Sequence, residues 1–528
     1  MIETELGEWR RTHYSNNLDP SLTETDVIIM GWVSSVRGHG NILFLTIIDR
    51  MGEIQIVAKK DSCPDNVFET ISKLKEHSCI GLKGKINASE KAPTGVEIYP
   101  EDIRVFSMVE KVPPFDPYVK TIKNIDTRLE MRAIDLRRDS LKKIFQARSE
   151  VLKVIREYFY EENFVETNTP KMIATATEGG AALFPIFYYN KEAFLAQSPQ
   201  LYKEQLTMSF EKVFEIAPIF RAEPSRTNRH LSEAISIDFE EAYVDYNDIM
   251  KRIEYVITRS ISAVQKFSND NSGTEFVIPD TINTIPVYTY AELLEKIQNA
   301  GAKSQWGDDL YPAQLNKIGI TGFYFIKDWP VGPKPFYVKV SKNDPKISES
   351  FDLMYGDLEI SSGSTRIEKK EELEDRMKTK GMKIDTFGYH LNAFEYGVPP
   401  HAGCGIGLER LMMALTGTEN IRDTTFYPRD VDRLTPLVKN LVTEEEIAHV
   451  ARLMKIEIED HSEHVEKVQK MLQYFDILDE ADVESEKLEY VGIEMDELRD
   501  DRYTPYDKKL LKFLKTYREK YIKAPKLS

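Results

Sequence analysis

Phe220-Arg221-Ala222-Glu223-Pro224-Ser225-Arg226-Thr227-Asn228-Arg229-His230-Leu231-Ser232-Glu233-Ala234-Ile235-Ser236-Ile237-Asp238-Phe239-Glu240 sets apolar, strand-like flanks around a loop with three arginines, a histidine and two acids. Such a run is an anion site with carboxylates beside it. A strand holds Arg221 rigidly, and a planar guanidinium grips a phosphate through two parallel N–H bonds. The acids, Glu223 among them, suit Mg²⁺ or an amine. Taken alone, the run also fits a salt-bridged hairpin.

A second run, Gly403-Cys404-Gly405-Ile406-Gly407-Leu408-Glu409-Arg410-Leu411-Met412-Met413-Ala414-Leu415, leads small residues into an apolar-periodic helix. Glycines let backbone approach a ligand closely, and the helix carries Arg410 in its first turns. The spacing matches neither GxGxxG with a distant acid nor GxxxxGK[ST], so neither the dinucleotide nor the Walker reading is supported. A tight turn with Arg410 solvated or paired to Glu409 is the alternative. Together the two runs resemble motifs 2 and 3 of the class II aminoacyl-tRNA synthetases, and Phe164-Val165-Glu166-Thr167-Asn168-Thr169-Pro170 resembles motif 1. Within that class the chain is most similar to the archaeal-type aspartyl-tRNA synthetases. Three further stretches carry this: Ala174-Thr175-Ala176-Thr177-Glu178-Gly179-Gly180, Gln197-Ser198-Pro199-Gln200-Leu201-Tyr202-Lys203 and Glu359-Ile360-Ser361-Ser362-Gly363-Ser364-Thr365-Arg366.

The resemblance implies an ATP-dependent ligase that joins L-aspartate to tRNA through aspartyl-adenylate. Arg221 and Arg410 are then catalytic, and ATP lies among Arg221, Glu223, Arg229, His230, Phe239, Glu359, Ser362, Gly407 and Arg410. The adenine is expected to stack between Arg410 and Phe239 or a nearby aromatic. Asp352 and Glu359 are the implied Mg²⁺ carboxylates, hard oxygen ligands for a hard ion. Glu178, Ser198 and Gln200 are assigned to the substrate ammonium, Lys203 and Arg366 to its side-chain carboxylate. Related asparaginyl enzymes recognise a neutral amide and usually lack a lysine at the Lys203 position.

Residues 26–107 alternate apolar and polar in short runs such as Val27-Ile28-Ile29-Met30-Gly31-Trp32-Val33, separated by glycine and charged turns. This predicts a five-stranded OB-fold barrel over 1–108, a nucleic-acid-binding module. By resemblance it binds the anticodon through Ser34, Arg37, Phe44, Gln55 and Pro93; without the family in view, Phe44 reads as a barrel core residue. In enzymes that discriminate tRNA(Asp) from tRNA(Asn), a tryptophan and a lysine stand where this chain has Ser34 and Pro93. That difference implies use of both tRNAs. Ordinary strand-edge and turn roles are the alternative.

A proline-bearing stretch from Val109 opens a linker expected over 109–134, and a long helical pattern from Asp135 opens a catalytic domain over 135–436. Residues near 267–345 read as an insertion within it. The fold class is therefore α+β: the barrel, an antiparallel catalytic sheet with flanking helices, and a C-terminal appendage. That appendage, 437–528, starts with the capping-box signal Thr443-Glu444-Glu445-Glu446, followed by two amphipathic helical patterns and a tail with Leu498-Arg499-Asp500. It resembles the C subunit of the GatCAB-type tRNA-dependent amidotransferase, implying partnership with the A and B subunits. A generic dimer-strengthening hairpin is the alternative.

The 528 residues carry a formal net charge of −17, which argues against nonspecific nucleic-acid binding yet permits a local tRNA contact. Arg132, Arg137, Arg138, Lys142 and Lys143 offer such a contact or an ordinary solvated helix face. Cys63, Cys79 and Cys404 show no metal spacing, and Cys404 reads as a packing residue. No apolar run approaches about 20 residues, so no membrane association and a cytoplasmic location are expected. Motif 1 implies a homodimer with Pro170 at its interface.

Overall fold

The computed structural model describes residues 4–92, 94–118, 124–174, 183–271 and 273–434, and the strands Tyr517–Arg518 and Tyr521–Ile522. The N-terminal strands β1 (Asp26–His39), β2 (Ile42–Ile48), β3 (Glu53–Lys59), β4 (Cys79–Ala88) and β5 (Val96–Ser107) close into a barrel in the order β1-β2-β3-β5-β4. Helix α1 (Asp65–Ser72) joins β3 to β4. Side chains alternate between the two faces of a strand, so Val27, Ile29, Leu45, Ile47, Ile54 and Ile56 fill the interior. The same alternation turns Phe44 outward and leaves it partly exposed, which removes the core reading of that residue.

The last part of the segment expected to be linker, from residue 124 on, is helical. Asn124 caps α2 (Ile125–Glu130) through hydrogen bonds from the Asp126 and Thr127 amides, and α3 (Arg132–Asp135) follows. Their charges are used internally. Asp135, fully buried, pairs with Arg128 at 3.0 Å and Arg132 at 2.7 Å, and Arg128 also pairs with Asp423 at 2.6 Å. Arg138 lies 3.5 Å from Asp135, Lys143 2.7 Å from Asp139, and Arg137 covers the Trp32 ring at 4.5 Å. Lys142 donates to the Asp49 carbonyl of the barrel at 3.3 Å. The basic cluster is thus neither a bare solvated face nor a set of uncommitted tRNA contacts. Burying charges is tolerable only when they are paired, and partners distant in the chain are invisible to a local reading.

In the catalytic domain, α4 (Asp139–Glu161) precedes β6 (Val165–Glu166), and a small sheet forms from β7 (Met172–Ile173), β8 (Pro185–Tyr188) and β9 (Lys191–Leu195). Next come α5 (Gln200–Phe210), β10 (Lys212–Phe220), β11 (Glu233–Ala242) and α6 (Tyr246–Asp270). Then follow β12 (Val287–Thr289), α7 (Tyr290–Asn299), α8 (Pro312–Ile318) and β13 (Phe323–Lys327). The hairpin β14 (Ser350–Tyr355) and β15 (Leu358–Thr365) leads to α9 (Lys370–Thr379), α10 (Gly388–Ala393), β16 (His401–Gly407) and α11 (Leu408–Thr416).

Eight strands make one sheet in the order β12-β13-β14-β15-β16-β11-β10-β6, antiparallel except at its two ends. Helices α4, α6 and α11 cover one face, where Val151, Ile155, Phe159, Ile253, Ile257, Leu411 and Leu415 meet Ile237, Phe239, Phe351 and Ile406. Each such side chain contributes about 1.5–3 kcal/mol by leaving water. The region expected as an insertion instead supplies the sheet edge: β12 and β13 pair there, and Tyr290, Leu293, Ile297, Tyr324 and Trp329 form its core. A second unit, Lys439–Ser528, contains the antiparallel pair Tyr517–Arg518 and Tyr521–Ile522. The helical hairpin expected within 443–478 lies outside the described residues.

Candidate active site

The sheet face opposite the helices floors a cavity of about 280 Å³. Its deep end is built from four charges. Lys203, on the first turn of α5, reaches Asp238 at 2.9 Å and Glu240 at 3.4 Å, and donates to the Cys404 carbonyl at 3.0 Å. Arg366, just beyond β15, forks onto Glu240 at 2.7 and 3.2 Å and donates to the Ser364 hydroxyl at 2.6 Å. Burial opposes both positive charges, but Asp238 and Glu240 outweigh it at Lys203, as Glu240 does at Arg366, so both pKa values rise. Three of the five Arg366 N–H groups are taken by Glu240 and Ser364, and two remain for a ligand. Glycine is obligatory in the neighbouring strand: a Cβ at Gly403 would sit 2.1 Å from the Glu240 carboxylate.

Behind this floor Glu204 accepts from the Gln200 amide at 2.6 Å, with the His390 and His401 imidazoles 3.6 and 3.8 Å from its other oxygen. All are buried. Burial alone would raise the Glu204 carboxyl, but the two imidazoles overcome it and hold the group down at about 2. Gln200 is thereby oriented at the cavity wall. Burial pushes the Cys404 thiol up to about 12, in keeping with a packing residue and not a nucleophile.

The outer cavity is cationic. Arg221, Arg229, His230 and Arg410 line it, with Ser198, Ser362, Glu359 and Gly407. Gly407 caps α11, whose first turn aims Arg410 at the Glu359 carbonyl, 3.0 Å from Nη1, and at the Arg229 carbonyl, 3.3 Å from Nε. Glu409 is not its partner; that carboxylate binds Arg148 at 3.0 Å and the Ile235 amide at 2.9 Å. Burial, then Arg410 and Arg221, push the His230 pKa below its ordinary 6.5, so the ring is neutral at about pH 7 and offers a planar face instead of a charge.

Phe239 does not belong to this site. Strand alternation turns Asp238 and Glu240 into the cavity and Phe239 onto the helix side, fully buried against Phe159 at 5.1 Å between ring centres. Glu223 is exposed and does not line the cavity. Glu178 and Pro93 lie outside the described residues. Asp352 is buried and bound by Lys334 at 2.8 Å, with Ser362 as a further hydrogen-bond partner. Burial raises its pKa, and the nearby Glu359 carboxylate raises it further. Among the described residues no cluster of three or more His, Cys, Asp or Glu is placed to hold a metal. Two like-charged carboxylates held together beside a lysine do fit Mg²⁺ whose remaining ligands are phosphate oxygens and water.

Asp238, Glu240, Lys334 and Tyr337 were not anticipated at this site, although all four line it or are bound to residues that do. The acids had a signal: Ser236, Asp238 and Glu240 stand at period two, alternating with Ile235, Ile237 and Phe239. Lys334 lies in the region read as an insertion and had none.

On the barrel, Ser34, Arg37, Phe44 and Gln55 share an open pocket of about 540 Å³ with Ser35, Thr46, Glu53, Glu76, Asp116 and Tyr118. Four of the five expected anticodon residues are thus brought together on one outer face. Among the described residues no helix is long and apolar enough to cross a membrane.

Residues 27–106 match the family of OB-fold nucleic acid binding domains, and residues 124–431 match the class II tRNA synthetases (D, K and N). The chain belongs to that class II family and is an aminoacyl-tRNA ligase. It is 46% identical over 437 residues to the aspartate-tRNA(Asp/Asn) ligase of Methanococcus vannielii, covering 82% of this chain and 99% of the relative. The same identity holds over 435 residues of the aspartate-tRNA(Asp/Asn) ligase of Methanocaldococcus jannaschii, covering 81% and 99%. Among solved structures, asparaginyl-tRNA synthetase from Pyrococcus horikoshii complexed with asparaginyl-adenylate is similar with a TM-score of 0.76 at 30% identity, covering 81% of this chain and 100% of that one. The aspartyl tRNA synthetase from Entamoeba histolytica is similar with a TM-score of 0.69 at 31% identity, covering 82% and 92%.

Proposed function

We propose that this chain activates aspartate with ATP and attaches it to tRNA(Asp) and tRNA(Asn). The observation that carries the choice of amino acid is the Lys203–Glu240–Arg366 cluster at the cavity floor, with two Arg366 N–H groups left for a carboxylate. A neutral amide is a weaker acceptor for a guanidinium, which disfavours asparagine. The aspartate α-carboxylate attacks the α-phosphorus, the bond to the bridging oxygen breaks, and pyrophosphate leaves. The terminal adenosine hydroxyl of tRNA then attacks the activated carbonyl and AMP departs. In-line displacement at phosphorus demands positioning and charge neutralisation, so no covalent enzyme intermediate is needed.

In this reading Arg221 holds the α-phosphate and stabilises the charge that develops on it, while Arg229 and Arg410 hold the outer phosphates. His230 and Arg410 flank the adenine, the neutral imidazole taking the part that Phe239 cannot. Gln200 and Ser198, with Glu178, receive the ammonium. Asp352 and Glu359 would hold Mg²⁺, which supplies charge neutralisation at the phosphates when bound.

Phe44 and Gln55 suit a splayed anticodon base, one by stacking and the other by hydrogen bonding. Ser34 and Pro93 lack the bulk and charge to enforce cytosine at the third anticodon position, which supports dual tRNA use. The reading further includes a cytoplasmic homodimer through the motif 1 region, where Val165, Pro170 and Met172 are exposed. It also includes recruitment of amidotransferase A and B subunits by residues 437–528, which would convert aspartyl-tRNA(Asn) to asparaginyl-tRNA(Asn). Aminoacylation of aspartate and asparagine tRNA transcripts tests the scope. Comparable efficiency is expected, since one base contact contributes about 1–3 kcal/mol. A preference for tRNA(Asp) of roughly a thousandfold, beyond what one such contact supplies, makes the enzyme discriminating.

A further inference from the structure

We propose that Asp357 is a positioning residue for ATP, acting through Arg229; this rests on the activation reading above. Arg229 lies mid-loop between β10 and β11, in a segment without regular secondary structure. Its side chain is 37% exposed, so its own backbone does little to hold it. What does hold it is the two-residue turn Gly356-Asp357 between β14 and β15. The Arg229 Nη2 donates to the Asp357 carboxylate at 2.9 Å and Nη1 to the Asp357 carbonyl at 3.4 Å.

The turn is itself braced. Gly356 takes a left-handed φ of +57°, its carbonyl accepts from Tyr324 at 2.8 Å, and Asn316 of α8 donates to the second Asp357 oxygen at 3.0 Å. The Arg229 carbonyl accepts from Arg410, whose Nη1 reaches the Glu359 carbonyl two residues beyond Asp357. One hairpin therefore fixes Arg229 and Arg410 relative to each other and to the Glu359 backbone. A guanidinium gripped at two points keeps its remaining donors aimed at the cavity, so ATP meets a loop that is already ordered. Helix α8, through Asn316, becomes part of the nucleotide site although it lines none of it.

The test is pyrophosphate exchange with ATP and aspartate varied separately. If the wild-type chain shows no exchange, the activation reading fails and this one with it. Given wild-type exchange, Asp357→Ala should raise KM for ATP about five-fold, the equivalent of an ion pair of about 1 kcal/mol at this exposure, and leave KM for aspartate unchanged. Asp357→Asn, which keeps an acceptor for Nη2, should recover most of the loss, and the exposed Asn316→Ala should move KM for ATP in the same direction. In an Arg229→Ala background, Asp357→Ala should add nothing. The proposal is overturned by an unchanged or lowered KM for ATP in Asp357→Ala, including a fall in Tm without a KM change. Full additivity with Arg229→Ala overturns it equally.

Discussion

Replacing Arg366 by lysine keeps the charge and removes the fork, which makes Arg366→Lys the sharpest probe of the amino acid pocket. In the native site one guanidinium makes two bonds to Glu240 and one to Ser364, and has two further N–H groups in a residue that lines the cavity. A lysine ammonium has three donors on a single atom and cannot span those partners while facing a ligand. Glu240, buried beside Lys203 at 3.4 Å, keeps a counter-charge, so the variant should fold. The loss is then about one charge-assisted hydrogen bond to substrate, roughly 1.5–3 kcal/mol. That corresponds to a fall of roughly ten- to 150-fold in kcat/KM for aspartate. Pyrophosphate exchange with each substrate varied in turn reads it, with circular dichroism as a check on folding. The reasoning is refuted if KM for ATP rises as much as KM for aspartate, or if aspartate use changes by less than about two-fold.

The buried histidines predict a pH dependence of stability. Burial opposes protonation of His401, but Glu204 and Glu240 raise its pKa above the ordinary 6.5, so its stabilising charge is present below about pH 6.5 and is lost as pH rises through the folded value. Burial pushes His390 the other way, although it faces the same carboxylate, so the quantity to measure is the Tm difference between wild type and His401→Gln. It should be larger at about pH 6 than at about pH 9, and a difference independent of pH would contradict the assignment. Deletion of residues 440–528 should leave aspartylation nearly intact while abolishing co-purification with amidotransferase A and B subunits and glutamine-dependent formation of asparaginyl-tRNA; a truncated enzyme that supports amidation as well as the full chain, with no separate C subunit, rules recruitment out.

Both domains could be read from the sequence because their information is local. Period-two runs closed the barrel, and the strand-loop-strand and glycine-to-helix runs brought Arg221, Arg229, His230 and Arg410 to one cavity. Lys203 and Arg366 came from the resemblance, as cations in short stretches that match the family's. What failed was nonlocal. Arg132 looked like a surface charge because its partners, Asp135 and the carbonyls of Arg422, Thr425 and Phe426, lie mostly some 290 residues away. Phe239 was assigned by its neighbours in the motif, although strand parity already sets it opposite to Asp238 and Glu240. The edge of the sheet was read as an insertion because β12 has three residues and its partner β13 begins more than thirty residues later, too short and too distant a pairing for periodicity to reveal.

The central claim is that the cavity floor selects an anionic amino acid for activation, and amino-acid-dependent pyrophosphate exchange by the full chain tests it most directly. Aspartate should drive exchange in the presence of ATP and Mg²⁺, and asparagine should drive it at least about a hundredfold less efficiently, since the buried Arg366 N–H pair would face a neutral acceptor. No exchange with aspartate, or equal exchange with asparagine, would contradict the account.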